Sequence, residues 1–340
     1  MRVARLVETE KIELADEQMP AIGANDVLIH TAFAGVCGSD VHAFRGLHPF
    51  RHPPVVLGHE LVGTVEAVGR EVDAIAVGDR VTAMPCRGCG QCDLCLAGRS
   101  NICPEKVVPG TESWLGTFGE YCLCDASIVY RLGENTTMPM GALAEPLAVG
   151  VHSVRIARIE PGDRVLVLGA GTIGLLTLVA AQEAGAAHIA ITDLLPEHLE
   201  LAKELGASAV YNVAGGTLRD QLPADSSAYD VVVLTAGVQS TVDDALKLVR
   251  RGGRVVVTAM FLRPVQVDLL TVTLYELQVL GSQIYTDADF GVAMQLLDSS
   301  KYALEKLITH VLPLSEAQPA LELAASHGDG AVKVLLDTTR

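Results

Sequence analysis

The stretch RVLVLGAGTIG, residues 164–174, decides the fold. Its first five residues read as a short apolar strand, and the Leu- and Ala-rich run 172–184 reads as a helix. Between them stand Gly169, Gly171 and Gly174, the spacing GxGxxG. Gly169 permits a tight turn, Gly171 lets a pyrophosphate approach the backbone, and Gly174 lets helix and strand pack closely. The helix then opens at Thr172 and Ile173, and its N-terminus presents N–H groups to the phosphates. GxGxxG alone is also an ordinary glycine-rich turn, so the surroundings matter. A second strand, 188–193, ends in Asp193, nineteen residues beyond Gly174. An acid there accepts hydrogen bonds from the adenosine ribose hydroxyls. Leu194 and Leu195 follow, with no Arg or Lys to neutralise a 2′-phosphate, so NAD is expected over NADP.

Working outward, 196–205 reads as a helix with Pro at its start and Gly206 at its end. Apolar strands follow at 231–234 and 254–258, separated by a helix at 241–249. Apolar strands alternating with helices predict a parallel sheet covered on both faces. The fold class is therefore α/β, with a Rossmann doubly wound domain over 144–284. Residues 1–140 differ: short β-like runs at 27–34, 61–68 and 80–83, broken by Gly and Pro, predict an irregular β domain. After Gly281 the chain offers one helix, 289–297, then short strands ending at 331–336. This tail is expected to rejoin the first domain, giving it residues 1–143 and 285–340. A length of 340 residues suits two domains.

Net charge is 25 − 41 = −16. Such a chain is a poor nucleic-acid binder, and an anionic membrane surface repels it. Mean hydropathy is +0.34, and the uncharged run 165–182 reaches the length of a membrane span. Its glycines, and the charges at Asp163, Arg164 and Glu183, favour strand–turn–helix instead. The opening MRVARLVETEKIELADE has no apolar leader, so a cytoplasmic protein is expected.

All eight cysteines lie at or before residue 124. Such crowding in a chain without a leader favours metal binding over disulfides. Cys89, Cys92, Cys95 and Cys103 supply four thiols within fifteen residues, and Gly88, Gly90 and Gly98 let the chain curl around one ion. A closed zinc site takes four such ligands in a tetrahedron; four cysteines also suit iron, although nothing else here calls for an electron relay. Cys86, Cys122 and Cys124 read as core thiols. A second constellation is scattered: Cys37 and His42 in CGSDVH (37–42), His59 and Glu60 after Gly58, and Glu145 before Pro146. A catalytic zinc needs about three protein ligands and one open position. Cys37 and His59 are candidates for two, and Glu145 or Glu60 for the third. Taken singly, each is unremarkable.

Together they are not. The motifs CGSDVH (37–42), GHELVGTVEAVG (58–69), GDRV (78–81), the four-cysteine loop, EPLAVGVH (145–152) and GAGTIG (169–174) stand in one order along the whole chain. In this the chain resembles the medium-chain zinc alcohol dehydrogenases, especially the sorbitol (polyol), butanediol and threonine dehydrogenase branch. The resemblance implies a GroES-like catalytic domain, a Rossmann domain, and two zinc ions per chain, one catalytic and one structural. It implies catalytic zinc at Cys37 and His59, with Glu60 or Glu145 direct and the other acting through water. Liver-type relatives carry cysteine at the position of Glu145, so this chain departs from them as polyol dehydrogenases do. Ser39 matches the hydroxyl that takes the substrate proton, His42 the outer member of that relay, and Asp40 the acid that orients His59. Lys333 matches a basic residue near the cofactor pyrophosphate, a solvated edge lysine being the plain alternative. Phe44, Trp114 and Phe118 are candidates for lining the pocket, or for packing alone.

The function so implied is hydride transfer between a small secondary alcohol, a polyol or vicinal diol, and NAD, giving a ketone. Oxidation of an amino alcohol, as in L-threonine 3-dehydrogenase, is the alternative within enzymes. A non-catalytic, nucleotide-binding structural relative is the alternative of another class; those lack the zinc cysteines that this chain has. The family implies a homo-oligomer, a tetramer more readily than a dimer.

Overall fold

The computed structural model describes residues 1–111, 114–216, 218–221 and 229–340. Contacts divide them into two units: Met1–Glu145 with Thr286–Arg340, and Pro146–Tyr285.

In the second unit Arg164–Leu168 is a strand in which every residue after Arg164 is buried. Apolar residues on both faces require cover on both faces, and parallel pairing supplies it. His188–Asp193 pairs on one side and Tyr229–Leu234 on the other, both parallel. Ala209–Asn212, then Val249–Val257 and Gln278–Gly281, extend the sheet to six parallel strands. The order reverses beside Arg164–Leu168, which places a ligand crevice at the carboxyl ends of the central strands. The helix Thr172–Glu183 buries eight consecutive residues from Gly174 to Ala181. A Cβ on Gly174 would lie 1.8 Å from the Gly169 carbonyl oxygen, so only glycine allows this approach of helix to turn. The uncharged run 165–182 is thus divided between strand and helix. Among the described residues no helix is long and apolar enough to cross a membrane.

The first unit is built on an antiparallel run: Lys333–Asp337 pairs with Asp26–Val36, which pairs with Glu60–Val68, which pairs with Arg80–Ala83. Ile308–Pro313 adds to Lys333–Asp337 in parallel, so the tail does rejoin the amino-terminal strands. Its apolar core gathers Val3, Leu6, Val36, Phe44, Leu57, Phe118 and Leu336.

Some elements differ from expectation. Ala209–Asn212 and Gln278–Gly281 are strands at the two sheet edges, half-buried or exposed, and so lack the apolar run that marks the central strands. The tail also holds a helix, Ala317–Ser326, where only strands were expected. Pro319 sits in its first turn, where a missing N–H costs nothing. Its buried face is Ala317, Ala320 and Leu321, mostly small residues that give a faint periodic signal.

Candidate metal centre and dinucleotide turn

Three neighbouring strands of the first unit end at one place. Asp26–Val36 runs directly into Cys37, Glu60–Val68 begins at Glu60 directly after His59, and Lys333–Asp337 begins at Lys333. Register makes the meeting close: Gly35 stands opposite Glu60, and Val36 opposite Val334. Cys37, His59 and Glu60 each offer a ligand atom, all within 4.8 Å of one another. A thiol, an imidazole and a carboxylate at that spacing suit zinc, whose bonds are about 2.0–2.3 Å long. A Cβ on Gly35 would fall 1.9 Å from Glu60 Oε2, so this carboxylate needs glycine across the ladder.

Asp40 braces the group from beneath. It lies in the first turn of the helix Gly38–Phe44 and is wholly buried. Its Oδ2 accepts from the Cys37 N–H at 3.0 Å and its Oδ1 from the Gly58 N–H at 3.1 Å. His59 Nδ1 stands 3.6 Å from Oδ1. Burial opposes the charge on Asp40, but His59, Arg51 and the Cys37 amide outweigh it and hold the carboxyl down to about 2. Burial likewise disfavours protonated His59, and the charges of Asp40 and Cys37 overcome it, raising its pKa well above the usual imidazole value.

Ser39 and His42 sit three residues apart on the same helix, on neighbouring positions of one face. Ser39 Oγ accepts a hydrogen bond from Arg51 Nη1 at 3.2 Å. His42 is half-buried, and burial followed by Arg45 lowers its pKa. Glu145, also buried, opens the helix Ala144–Ala157 and is not among the three converging donors.

Lys333 is not a solvated edge lysine. It is only 2 % exposed, and its Nζ donates to both oxygens of Glu60 at 2.8 Å and to the Val36 carbonyl at 3.1 Å. An ammonium on a wholly buried strand needs a counter-charge, and Glu60 supplies it. Burial pulls the Lys333 pKa down, but Glu60 and Cys37 outweigh it and keep the charge. Its ammonium is engaged within the first unit. Phe44 and Phe118 are core, not pocket lining. Trp114 is anchored by its Nε1–H on the Leu123 carbonyl at 3.0 Å.

In the four-cysteine loop one ligand atom from each of Cys89, Cys92, Cys95 and Cys103 lies within 4.8 Å of the others, and all four are free of disulfides. Four converging thiols with no bond between them fit a tetrahedral zinc. Backbone N–H groups of Gln91 and Cys92 lower the Cys89 thiol to about 7, which favours the ligating thiolate.

In the second unit Asp193 closes over the glycine turn. Its Oδ2 accepts from the Ala170 N–H at 2.7 Å, and its Oδ1 from Leu194 and Leu195 at 2.8 and 3.0 Å. Gly171 caps the helix Thr172–Glu183 in an extended conformation, so the helix N-terminus opens directly at the glycine turn.

Sequence reading missed Arg51 and His48. Both are buried, at 5 % and 3 % exposure; Arg51 stands beside Asp40 and Ser39, and His48 accepts from the Arg51 N–H. They lie in RGLHPFRHPP (45–54), whose prolines and charges read as a solvated loop.

The sequence matches the alcohol dehydrogenase GroES-like domain over residues 23–134 and the zinc-binding dehydrogenase domain over 172–299. It is 34% identical to sorbitol dehydrogenase of Arabidopsis thaliana, over 98% of this chain and 94% of that protein. It is 32% identical to D-xylulose reductase A of Aspergillus niger, over 92% and 90%. Among solved structures, an alcohol dehydrogenase of Escherichia coli CFT073 complexed with NADH superposes with a TM-score of 0.92 at 27% identity, over 99% of each chain. The chain belongs to the medium-chain zinc-dependent alcohol dehydrogenases, in their polyol branch.

Proposed function

We propose that this protein oxidises a secondary hydroxyl of a polyol or vicinal diol to a ketone with NAD, using zinc held by Cys37, His59 and Glu60. The observation that carries this reading is the convergence of those three donors at the ends of adjacent strands, in a chain related to sorbitol dehydrogenase. Bound there, zinc supplies Lewis acidity toward the substrate oxygen, while NAD supplies the hydride acceptor.

The chain's own residues do the rest. Asp40 orients His59, and its bond to the Cys37 amide fixes the turn that presents the thiol. Ser39 takes the substrate's hydroxyl proton at Oγ, and His42, whose lowered pKa keeps it neutral, receives it. A carboxylate in place of a third soft ligand adds an acceptor for a neighbouring hydroxyl, which favours polyols and diols. Asp193 holds the adenosine ribose, and Leu194 and Leu195 leave a 2′-phosphate without a counter-charge, which supports NAD over NADP. The four cysteines hold a second, structural zinc. We place the protein in the cytoplasm as a homo-oligomer, a tetramer before a dimer. Exposed Leu269, Leu270 and Leu274 beside the edge strand Gln278–Gly281 support association, and native mass measurement checks it.

The direct test is a panel of sorbitol, xylitol, 2,3-butanediol and L-threonine, with NAD and with NADP. NADH should form with the polyols or the diol. Turnover of threonine alone would replace this reading with amino-alcohol oxidation.

A further inference from the structure

Arg51 is a buried arginine with three attachments. Its Nη1 donates to Ser39 Oγ at 3.2 Å, its Nη2 donates to the Pro109 carbonyl at 2.9 Å, and Nη1 lies 3.8 Å from Asp40 Oδ1. A Cβ on Gly110 would come 3.2 Å from its Nε, so the guanidinium is packed against that loop. The turn carrying it is built by His48, whose Nδ1 accepts from the Arg51 N–H at 3.1 Å and the Phe50 N–H at 3.4 Å. Burial, then Arg51, pushes His48 down to about 4, which keeps Nδ1 an acceptor at neutral pH. Among the described residues Arg51 Nε is buried with no hydrogen-bond partner.

A guanidinium only donates, so in the Arg51–Ser39 bond Oγ must be the acceptor. A serine hydroxyl has one proton and two lone pairs. Arg51 occupies one lone pair, leaving one acceptor and one donor position. That is the minimum for a group that receives a proton on one side and releases its own on the other.

We propose that Arg51 is a positioning residue for the reaction: it fixes the rotamer of Ser39 and fills its spare lone pair, so that the hydroxyl works as a one-way proton conduit between substrate and His42. This rests on the proposed dehydrogenase function and on Ser39 as the proton acceptor. Arg51 touches neither substrate nor cofactor; it acts through Ser39.

A double-mutant cycle tests it, using whichever of sorbitol, xylitol or 2,3-butanediol the wild type oxidises with NAD. Arg51→Gln should lower kcat roughly 10- to 100-fold, with the KM for NAD and the zinc content of the purified protein unchanged. In a Ser39→Ala background the same change should cost less than about twofold, because its target is gone. Arg51→Lys keeps the charge but cannot fork between Ser39 and Pro109, and should recover part of the loss. If Arg51→Gln fails to fold, the cycle is run with Arg51→Lys. Penalties that multiply in the double variant, or a loss that follows lost zinc, would overturn the role of Arg51 while leaving the dehydrogenase reading intact. A fully active Ser39→Ala enzyme would remove the conduit and this proposal with it; no turnover of any polyol or diol by the wild type would instead strike the function itself.

Discussion

The two cysteine-bearing centres use similar ligands in opposite settings. Cys37, His59 and Glu60 stand at the buried ends of a sheet, flanked by Asp40, Arg51 and Lys333. The four-cysteine loop has almost no regular structure: its helix Asp93–Leu96 buries no residue, and Leu96 is 74 % exposed. The first group is held by the fold, through paired strands, two buried cations and two buried carboxylates. The second has little apolar core of its own, so a bound ion would take the place of one. Losing the metal should therefore abolish chemistry at the first centre and structure at the second.

The sharpest way to break this contrast is Cys37→Ser. Losing a ligand to a Lewis acid worth several kcal/mol should lower kcat by about a thousandfold or more. NADH binding followed by fluorescence, and the melting midpoint, should stay near wild type; a protein that no longer binds NADH would show that the two units do not have separate tasks. Cys103→Ser should do the reverse, lowering the midpoint by roughly 5 °C while the folded fraction keeps its KM. An unshifted midpoint would mean that the loop needs no ion.

A third change leaves both centres alone. Asp193→Asn removes the charge and turns one of the two accepting oxygens into a donating NH2, so the KM for NAD should rise about tenfold and the preference over NADP should shrink. An unchanged ratio would take Asp193 out of ribose recognition. The smallest effect concerns the support beneath the buried centre. His48 has a folded pKa of about 4 against the usual 6.5, so between those values the unfolded chain binds more protons. Its contribution to stability is complete above pH 6.5 and is lost as pH falls toward 4. Urea midpoints across that window should fall less in His48→Asn, whose Oδ1 still accepts the two amides without titrating. Parallel curves would show that His48 does not govern the acid side.

The same contrast explains what could be read from the sequence. GAGTIG and the four cysteines are local: their partners lie within a few residues, and spacing alone brings them together. Cys37 follows one strand and His59 with Glu60 opens another, and only the resemblance of whole motifs joined them before the register was seen. Lys333 shows the limit. Its partner, Glu60, lies 273 positions away, and nothing near Lys333 in sequence signals an ion pair. Arg51 and His48 were invisible for a related reason. A proline-rich charged loop reads as surface until the Pro109 segment and the Gly38–Phe44 helix are placed against it. The central strands of the second unit were plain because both faces are apolar, whereas the edge strand Gln278–Gly281, exposed at three of its four residues, carried no such pattern.

Metal content measured on three proteins tests the account most directly. Wild type should carry about two zinc ions per chain, and Cys37→Ser and Cys103→Ser about one each. A Cys37→Ser protein that keeps both ions, or a wild type that binds zinc through the four cysteines alone, would contradict the assignment of a catalytic ion to Cys37, His59 and Glu60.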